Sequence, residues 1–332
     1  MARSNEDILT ALKSIIEVND LGESILSPGQ LDRFVEAMQA RTAILQEARY
    51  MPMRSQQENI DRVGFTGRIV HGTKTPATGA HRDLATTEYA KPATNTNKLI
   101  ANELKAIVPL RDKALRRNIE RGGFQAHIVD LMGNAAGLDF EEYGLFADTE
   151  LFTVETDDTL CLTDGWLNKA ANKVYGTGAG AGFDPDDPEA VFEALIGAVP
   201  KEFLTNPAEW RIYVDWATGN AYRDVLRARN TGLGDVAQIG NQPIPYKGFP
   251  VVVVPMFERA LAAADGGVGR VAMLQYPTNM VWGVFDEVGV ESQRDALGGI
   301  TYQVLTVECD ADYEDENGAA VAYLDLEDPA AS

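Results

Sequence analysis

From Asp61 to Lys98 the chain runs for 38 residues with only six large apolar side chains: Val63, Phe65, Ile69, Val70, Leu84 and Tyr89. A stretch that poor in apolar surface cannot build a core of its own. Val63, Phe65 and Ile69 fall on alternating positions, the period of a strand. Gly72-Thr73-Lys74-Thr75-Pro76-Ala77-Thr78-Gly79 is a tip of small and turn-forming residues. Thr86 to Tyr89 is expected to form the return strand, with Lys91-Pro92 breaking it. Leu99 to Val108 then resumes an extended, half-apolar pattern. A long hairpin with so little core needs a neighbouring surface to stabilise it.

The rest of the chain can supply a core. Its 332 residues are 45% hydrophobic and 24% charged, ordinary for a globular protein of about two domain-sized units. No run of about 18 apolar residues is present to form a membrane-spanning helix. The start, Met1-Ala2-Arg3-Ser4-Asn5-Glu6-Asp7, lacks an apolar segment, and the expectation is a chain that is not secreted. Cys161 and Cys309 are too few for a disulfide framework and read as two buried thiols in a reducing compartment. Collagen, coiled-coil rods, small stapled domains and basic sequence-reading DNA binders are excluded.

Charge is distributed unevenly. Residues 1–130 hold 18 Lys+Arg and 16 Asp+Glu, whereas residues 131–332 hold 11 and 34, a net of −23. Residues 41–121 alone carry 15 basic and 8 acidic side chains, and Glu308 to Asp328 has nine acids and no base. One reading is a solvated acidic surface that keeps the protein soluble. The sharper one is that the basic part of one copy meets the acidic part of another.

Periodicity predicts helices in the first 60 residues, from Ile8, Leu9, Leu12, Ile15 and Ile16, then from Ser27-Pro28 with Leu31, Phe34, Val35 and Met38, continuing through Ile44 and Leu45 to Ala48. Residues 111–136 read as the longest helix, with Gly122-Gly123 marking either a kink or a boundary between two helices. A helix is expected after Asp164, through Trp166, Leu167, Ala170 and Val174, and others from Pro188 and over Thr218 to Arg229. Strands are expected at Trp210 to Val214, Val251 to Val254, Val281 to Val290, Ile300 to Val307 and Ala320 to Leu324. Gln293 to Gly299 reads as the loop between the two long runs. Helices and strands mix without a regular βαβ repeat, so the class is α+β.

Chemical signatures fail one after another. His71, His81 and His127 form no HExxH pattern, and the first two flank the hairpin tip as surface residues before they suggest a metal. No CxxC pair, GxSxG elbow or Walker-type loop occurs. Gly176 to Gly182 reads as a surface loop after a helix. Asp310, Asp312, Glu314 and Asp315 hint at calcium, but Asp315 and Val321 stand where an EF-hand needs glycine and glutamate. Glu141-Glu142 has nothing to single it out. The expectation is a protein that is not an enzyme and holds no cofactor or metal.

The order of parts nevertheless resembles the tailed-bacteriophage major capsid proteins, whose fold is shared with encapsulins and herpesvirus capsid floors. Leu45-Gln46-Glu47-Ala48-Arg49-Tyr50-Met51-Pro52-Met53, followed by Ile60-Asp61-Arg62-Val63-Gly64-Phe65, is similar to that family's approach to its extended loop. Lys105 to Asp112 and Phe140 to Asp148 are similar to the start and end of its spine-helix region. Pro245-Tyr246-Lys247-Gly248-Phe249-Pro250-Val251 resembles a turn of its axial domain. Asn279 to Val284, Val288 to Glu291 and Arg294-Asp295 resemble its peripheral strands.

The resemblance implies an N-terminal arm over 1–60 and an extended loop over 61–104. It implies a peripheral domain over 105–160 and 280–318, and an axial domain with the tail over 161–279 and 319–332. It implies pentamers and hexamers of an icosahedral shell around double-stranded DNA, bound without sequence specificity. A portal protein and a separate scaffolding protein would be partners, with no membrane, and assembly would occur in a host cytoplasm before the protein resides in the virion. An encapsulin-like protein compartment is the alternative, and a monomeric α+β enzyme with an unrecognised site is a third. Assembly contacts are expected at Arg54, Arg62, Arg68, Lys74, Arg82, Lys91 and Lys98 on the arm-to-loop side, against Glu291, Glu308, Asp310 and Asp312. Helix bending is expected at Gly122 and Gly123.

Overall fold

A computed structural model describes residues 42–65, 69–73, 79–89, 92–111, 124–178, 180–228, 244–257, 269–285, 289–295 and 298–329. The helices expected before residue 41, Gly122-Gly123, Arg68, Lys74 and Lys91 lie outside the described residues.

One sheet is organised by its longest strand, β12 (Ile300–Tyr313). On one edge it pairs antiparallel with β4 (Asn102–Arg111), from Ile300 opposite Arg111 to Cys309 opposite Asn102. On the other edge it meets first β11 (Gly289–Asp295) and then β10 (Met280–Phe285), and β10 pairs in parallel with β1 (Arg49–Met53). Gln303, Leu305, Val307 and Cys309 are buried while the residues between them are not, the period-two pattern of a sheet with one covered face. The helix α1 (Phe124–Phe146) covers that face. Its Phe140 and Tyr143 rings lie 6.2 and 6.4 Å from Trp282 of β10, and Trp166 packs on the same ring at 6.2 Å. Gly144 permits this approach. A Cβ there would stand 3.1 Å from Trp166 and 3.2 Å from Trp282.

The second sheet has six strands in the order β5 (Asn172–Thr177), β13 (Ala319–Glu327), β9 (Val271–Gln275), β6 (Arg211–Val214), β8 (Phe249–Val253) and β7 (Ile244–Tyr246). Alternate residues of its central strands feed two different cores. Tyr213, Val271, Met273, Val321 and Tyr323 join the core beneath α1. Ile212, Val214, Ala272, Leu274, Ala320 and Ala322 face α3 (Pro188–Ala198) and α4 (Trp216–Ala228), through Val191, Phe192, Leu195, Tyr222 and Leu226. Both faces are therefore dry, which explains why these strands are apolar throughout. Asp187 caps α3 by accepting the Glu189 amide, with Pro188 in the first turn.

The α+β reading stands, with local corrections. Ile44 to Ala48 is a single turn, not a helix, because Glu47 and Ala48 both bond back to the Ile44 carbonyl before β1 begins. The return strand of the hairpin is β3 (Pro92–Ile100), and Thr86–Glu88 is a short 3₁₀ turn. Pro92 opens that strand instead of breaking the hairpin, the first position being one where a missing N–H is tolerated. The helix α2 spans only Trp166–Lys169, so Val174 belongs to β5. The run read as Val281 to Val290 is two strands, Gln293 to Asp295 is part of β11, and β12 extends to Tyr313. Cys309 is buried, Cys161 only partly.

Candidate functional site

The feature the fold does not absorb is the ribbon formed by β2 (Gln57–Phe65) and β3, paired from Gln57 opposite Ile100 to Phe65 opposite Pro92. Its root has a small core of Met53, Ile60, Leu99, Ala101 and Val281. Farther along the chain between these strands, Ile69 is 53% exposed, Val70 74% and Tyr89 57%. Among the described residues, these large apolar side chains are left in solvent.

The root is clamped by the end of β12 and the loop after it. Ile100 donates its amide to Asp310 Oδ2 at 2.8 Å, and the Asn97 side chain donates to the Tyr313 carbonyl at 2.7 Å. Arg62 forms an ion pair with Asp315. Between the strands, Arg82 donates to both oxygens of Glu88 at 3.1 and 2.7 Å and to the Gly72 carbonyl at 3.0 Å. The hydrogen bonds from Arg82 and the Ala85 amide hold the Glu88 carboxyl below its ordinary range. That knot ties Gly72, Arg82, Ala85 and Glu88 to one another.

The expected contact residues fall into distinct groups. Arg54 and Lys98 are exposed at the ribbon root. Arg62 and Arg82 engage Asp315 and Glu88 of the same chain. Glu291 is exposed on β11, opposite Val304, and Glu308 is partly exposed on β12, opposite Glu103. Register puts them on the outer face of the first sheet, with Glu103, Lys105 and the 58%-exposed Ile107.

Asp310 and Asp312 require correction. They are 1% and 4% exposed, so they are not surface charges offered to a neighbour. Asp310 is covered by the ribbon root and also accepts from Thr163 and Ala311; Asp312 pairs with Lys169 at 3.3 Å. Burial pushes both carboxyls up, with Lys169 pulling the other way. The acidic run is therefore partly interior, serving the fold. The four carboxylates from Asp310 to Asp315 each have a partner within the chain: Asp310 the Ile100 amide, Asp312 Lys169, Glu314 Arg49 and Asp315 Arg62. His71 and His81 lie nearest different carboxylates, Glu88 at 3.9 Å and Asp83 at 3.5 Å.

Two residues that the sequence offers only as members of acidic groups hold specific positions in the fold. Glu141 is 2% exposed and accepts the Ile44 amide at 2.6 Å, fastening the chain that leads into β1. Asp315 clamps the ribbon. A carboxylate inside an apolar helical face was the signal available for Glu141; for Asp315 none was.

No protein-family model matches the chain. It is 27% identical over 322 residues to the putative prophage capsid protein YqbE of Bacillus subtilis (strain 168), covering 95% of this chain and 97% of that one. Among solved structures, a chain of the satellite phage P4 procapsid matches with a TM-score of 0.62 at 16% identity, over 97% of this chain and 98% of that one. A chain of the bacteriophage PhiM1 mature capsid gives 0.55 at 12% identity, over 86% and 88%. A chain from the capsid of an empty GTA particle gives 0.54 at 14% identity, over 86% and 97%.

Proposed function

We infer that this chain, which has the phage major capsid fold, is the major capsid protein of a phage or prophage particle and acts by associating with copies of itself. The observation that carries the inference is the coincidence of two facts. The capsid relatives are matched over nearly their whole length, and the segment between β2 and β3 leaves Ile69, Val70 and Tyr89 more than half exposed among the described residues. An enzyme has no need of such a ribbon. A subunit whose fold is completed by its neighbours does.

Finer assignments belong to the same proposal. Residues 1–60 are the arm and 61–104 the extended loop that lies on an adjacent subunit. The peripheral domain takes 105–160 and 280–318, and the axial domain takes 161–279 with 319–332. The division between the two sheets supports this, since β4, β10, β11 and β12 join β1 in one and β5 to β9 with β13 form the other. Pentamers and hexamers close an icosahedral shell in the host cytoplasm, assisted by a separate scaffolding protein and a portal. Double-stranded DNA packs inside against a wall of net negative charge, which favours sliding over tight binding. Size-exclusion chromatography of the purified chain, with absorbance read for nucleic acid, tests this. Capsomers or particles are expected, and a protein cargo in place of DNA would favour the compartment alternative.

A further inference from the structure

Beneath the ribbon lies a cleft of about 330 Å³ lined by Arg62, Phe203, Trp210, Tyr276, Asn279 and Asp315 among others. Several parts of the fold meet there, among them the Trp210 end of β6 and the turn between β9 and β10 with Tyr276 and Asn279. β2 contributes Arg62, the loop after α3 contributes Phe203, and the loop between β12 and β13 contributes Asp315. The Asp315 side chain is 10% exposed and its two oxygens are divided in use. Oδ1 accepts the Asn317 amide at 3.1 Å and its side chain at 3.2 Å, capping the 3₁₀ turn Glu316–Gly318. Asn279 grips the backbone on both sides, accepting the Asp315 amide at 2.8 Å and donating to its carbonyl at 2.9 Å. Oδ2 is thereby held toward Arg62, and the two pair. The guanidinium carbon also stands 5.9 Å from the centre of the Phe203 ring. A fixed carboxylate beside an aromatic face suits a planar, weakly hydrated guanidinium better than a compact ammonium.

We propose that this cleft is a guanidinium-binding site, filled within the chain by Arg62, and that its occupancy sets the direction in which the ribbon leaves the body. The lever geometry supports it. Ile100, Leu99 and Asn97 hold the ribbon at successive steps from its root, and Arg62, opposite Asn95, is the outermost of the described contacts. A contact farther from a pivot restrains angle more than one at the pivot. Arg62 is a positioning residue, and its side chain is 43% exposed, so another guanidinium can reach the vacated cleft from solvent.

The test is hydrogen exchange at the β2 and β3 amides of the full-length, unassembled chain, which keeps it separate from the shell reading. Arg62→Ala should raise ribbon exchange about tenfold, the scale of one lost charge-assisted contact. Asp315→Asn should raise it to a similar degree. In wild type, excess methylguanidinium should compete with Arg62 for the cleft and raise ribbon exchange, and methylammonium at the same ionic strength should not. Arg62→Lys, which keeps the charge and the bulk, should also exchange faster. Unchanged exchange in Arg62→Ala, equal effects of the two cations on wild type, or wild-type behaviour of Arg62→Lys would each overturn the proposal.

Discussion

Glu141, near the end of α1, accepts the backbone amide of Ile44 at 2.6 Å, joining residues 97 apart in sequence within a nearly dry pocket. The contact fixes where the chain from the N-terminal region joins the body, because Ile44 and Leu45 are themselves buried beside Tyr143 and Phe146. Glu141→Ala should destabilise the subunit by about 2 kcal/mol, since it leaves a buried donor unsatisfied. Glu141→Gln, which keeps an acceptor, should cost less. Urea unfolding of the two variants measures the difference.

The same residue gives a signed pH dependence. Burial raises the Glu141 pKa above its ordinary value, against the amides of Ile44, Leu45 and Ala43. The folded state therefore holds a proton that the unfolded chain has released. Through the window from about pH 4.3 up to the raised value, this group's contribution falls as pH rises. Wild type should gain stability relative to Glu141→Gln on acidification from neutrality. Glu88 has the opposite sign: its lowered pKa makes the Arg82 knot present above the unfolded value and lost as pH falls through the folded one. Melting curves of wild type and Glu141→Gln between neutral and mildly acidic pH would show the first effect, and a gap that does not change with pH would refute it.

Lys169→Met should be more damaging than its partial exposure suggests. Lys169 pairs with the buried Asp312 and donates to the Ala311 carbonyl at 2.8 Å. Removing it leaves a desolvated carboxylate, a loss of about 3 kcal/mol. Lys169→Met combined with Asp312→Leu should recover much of it, as read by thermal unfolding.

The segment between β2 and β3 should be dispensable for folding and required for assembly. Deleting residues 67–82 removes no member of the clusters of buried side chains among the described residues. Circular dichroism should remain native-like while light scattering shows no closed particles.

Charge contacts between copies should involve the residues the subunit leaves exposed. Arg54→Glu with Lys98→Glu should weaken assembly, and high salt should weaken empty shells of wild type, because exposed pairs are screened over a Debye length of about 8 Å at physiological ionic strength. Each pair contributes only about 0–1 kcal/mol, but a closed shell repeats it in every subunit. Normal assembly of the double reversal at low salt would reduce the charge asymmetry to a solubility device. Gly122→Ala with Gly123→Ala should retain the fold and alter assembly or expansion kinetics if that pair bends the long helix.

What could be read from sequence followed from local physics. The ribbon announced itself through missing apolar residues, α3 through Pro188 and its cap, and β8 through an unbroken valine run. The errors share a different cause. Pro92 and Val174 took their states from strand partners distant in sequence, β2 and β13. Asp310 and Asp312 look solvated in a run of nine acids, and only the folded arrangement of Ile100, Thr163 and Lys169 around them makes them interior. Charge composition reports totals, whereas burial depends on which face of a strand a neighbour covers.

Electron microscopy of the chain, expressed with its assembly partners, decides whether the ribbon joins subunits. Closed icosahedral shells built of pentamers and hexamers are expected, with each β2–β3 ribbon resting on an adjacent subunit that covers Ile69, Val70 and Tyr89. A monodisperse 36.1 kDa monomer under the same conditions, or shells in which the ribbons make no contact with a neighbour, would contradict that expectation.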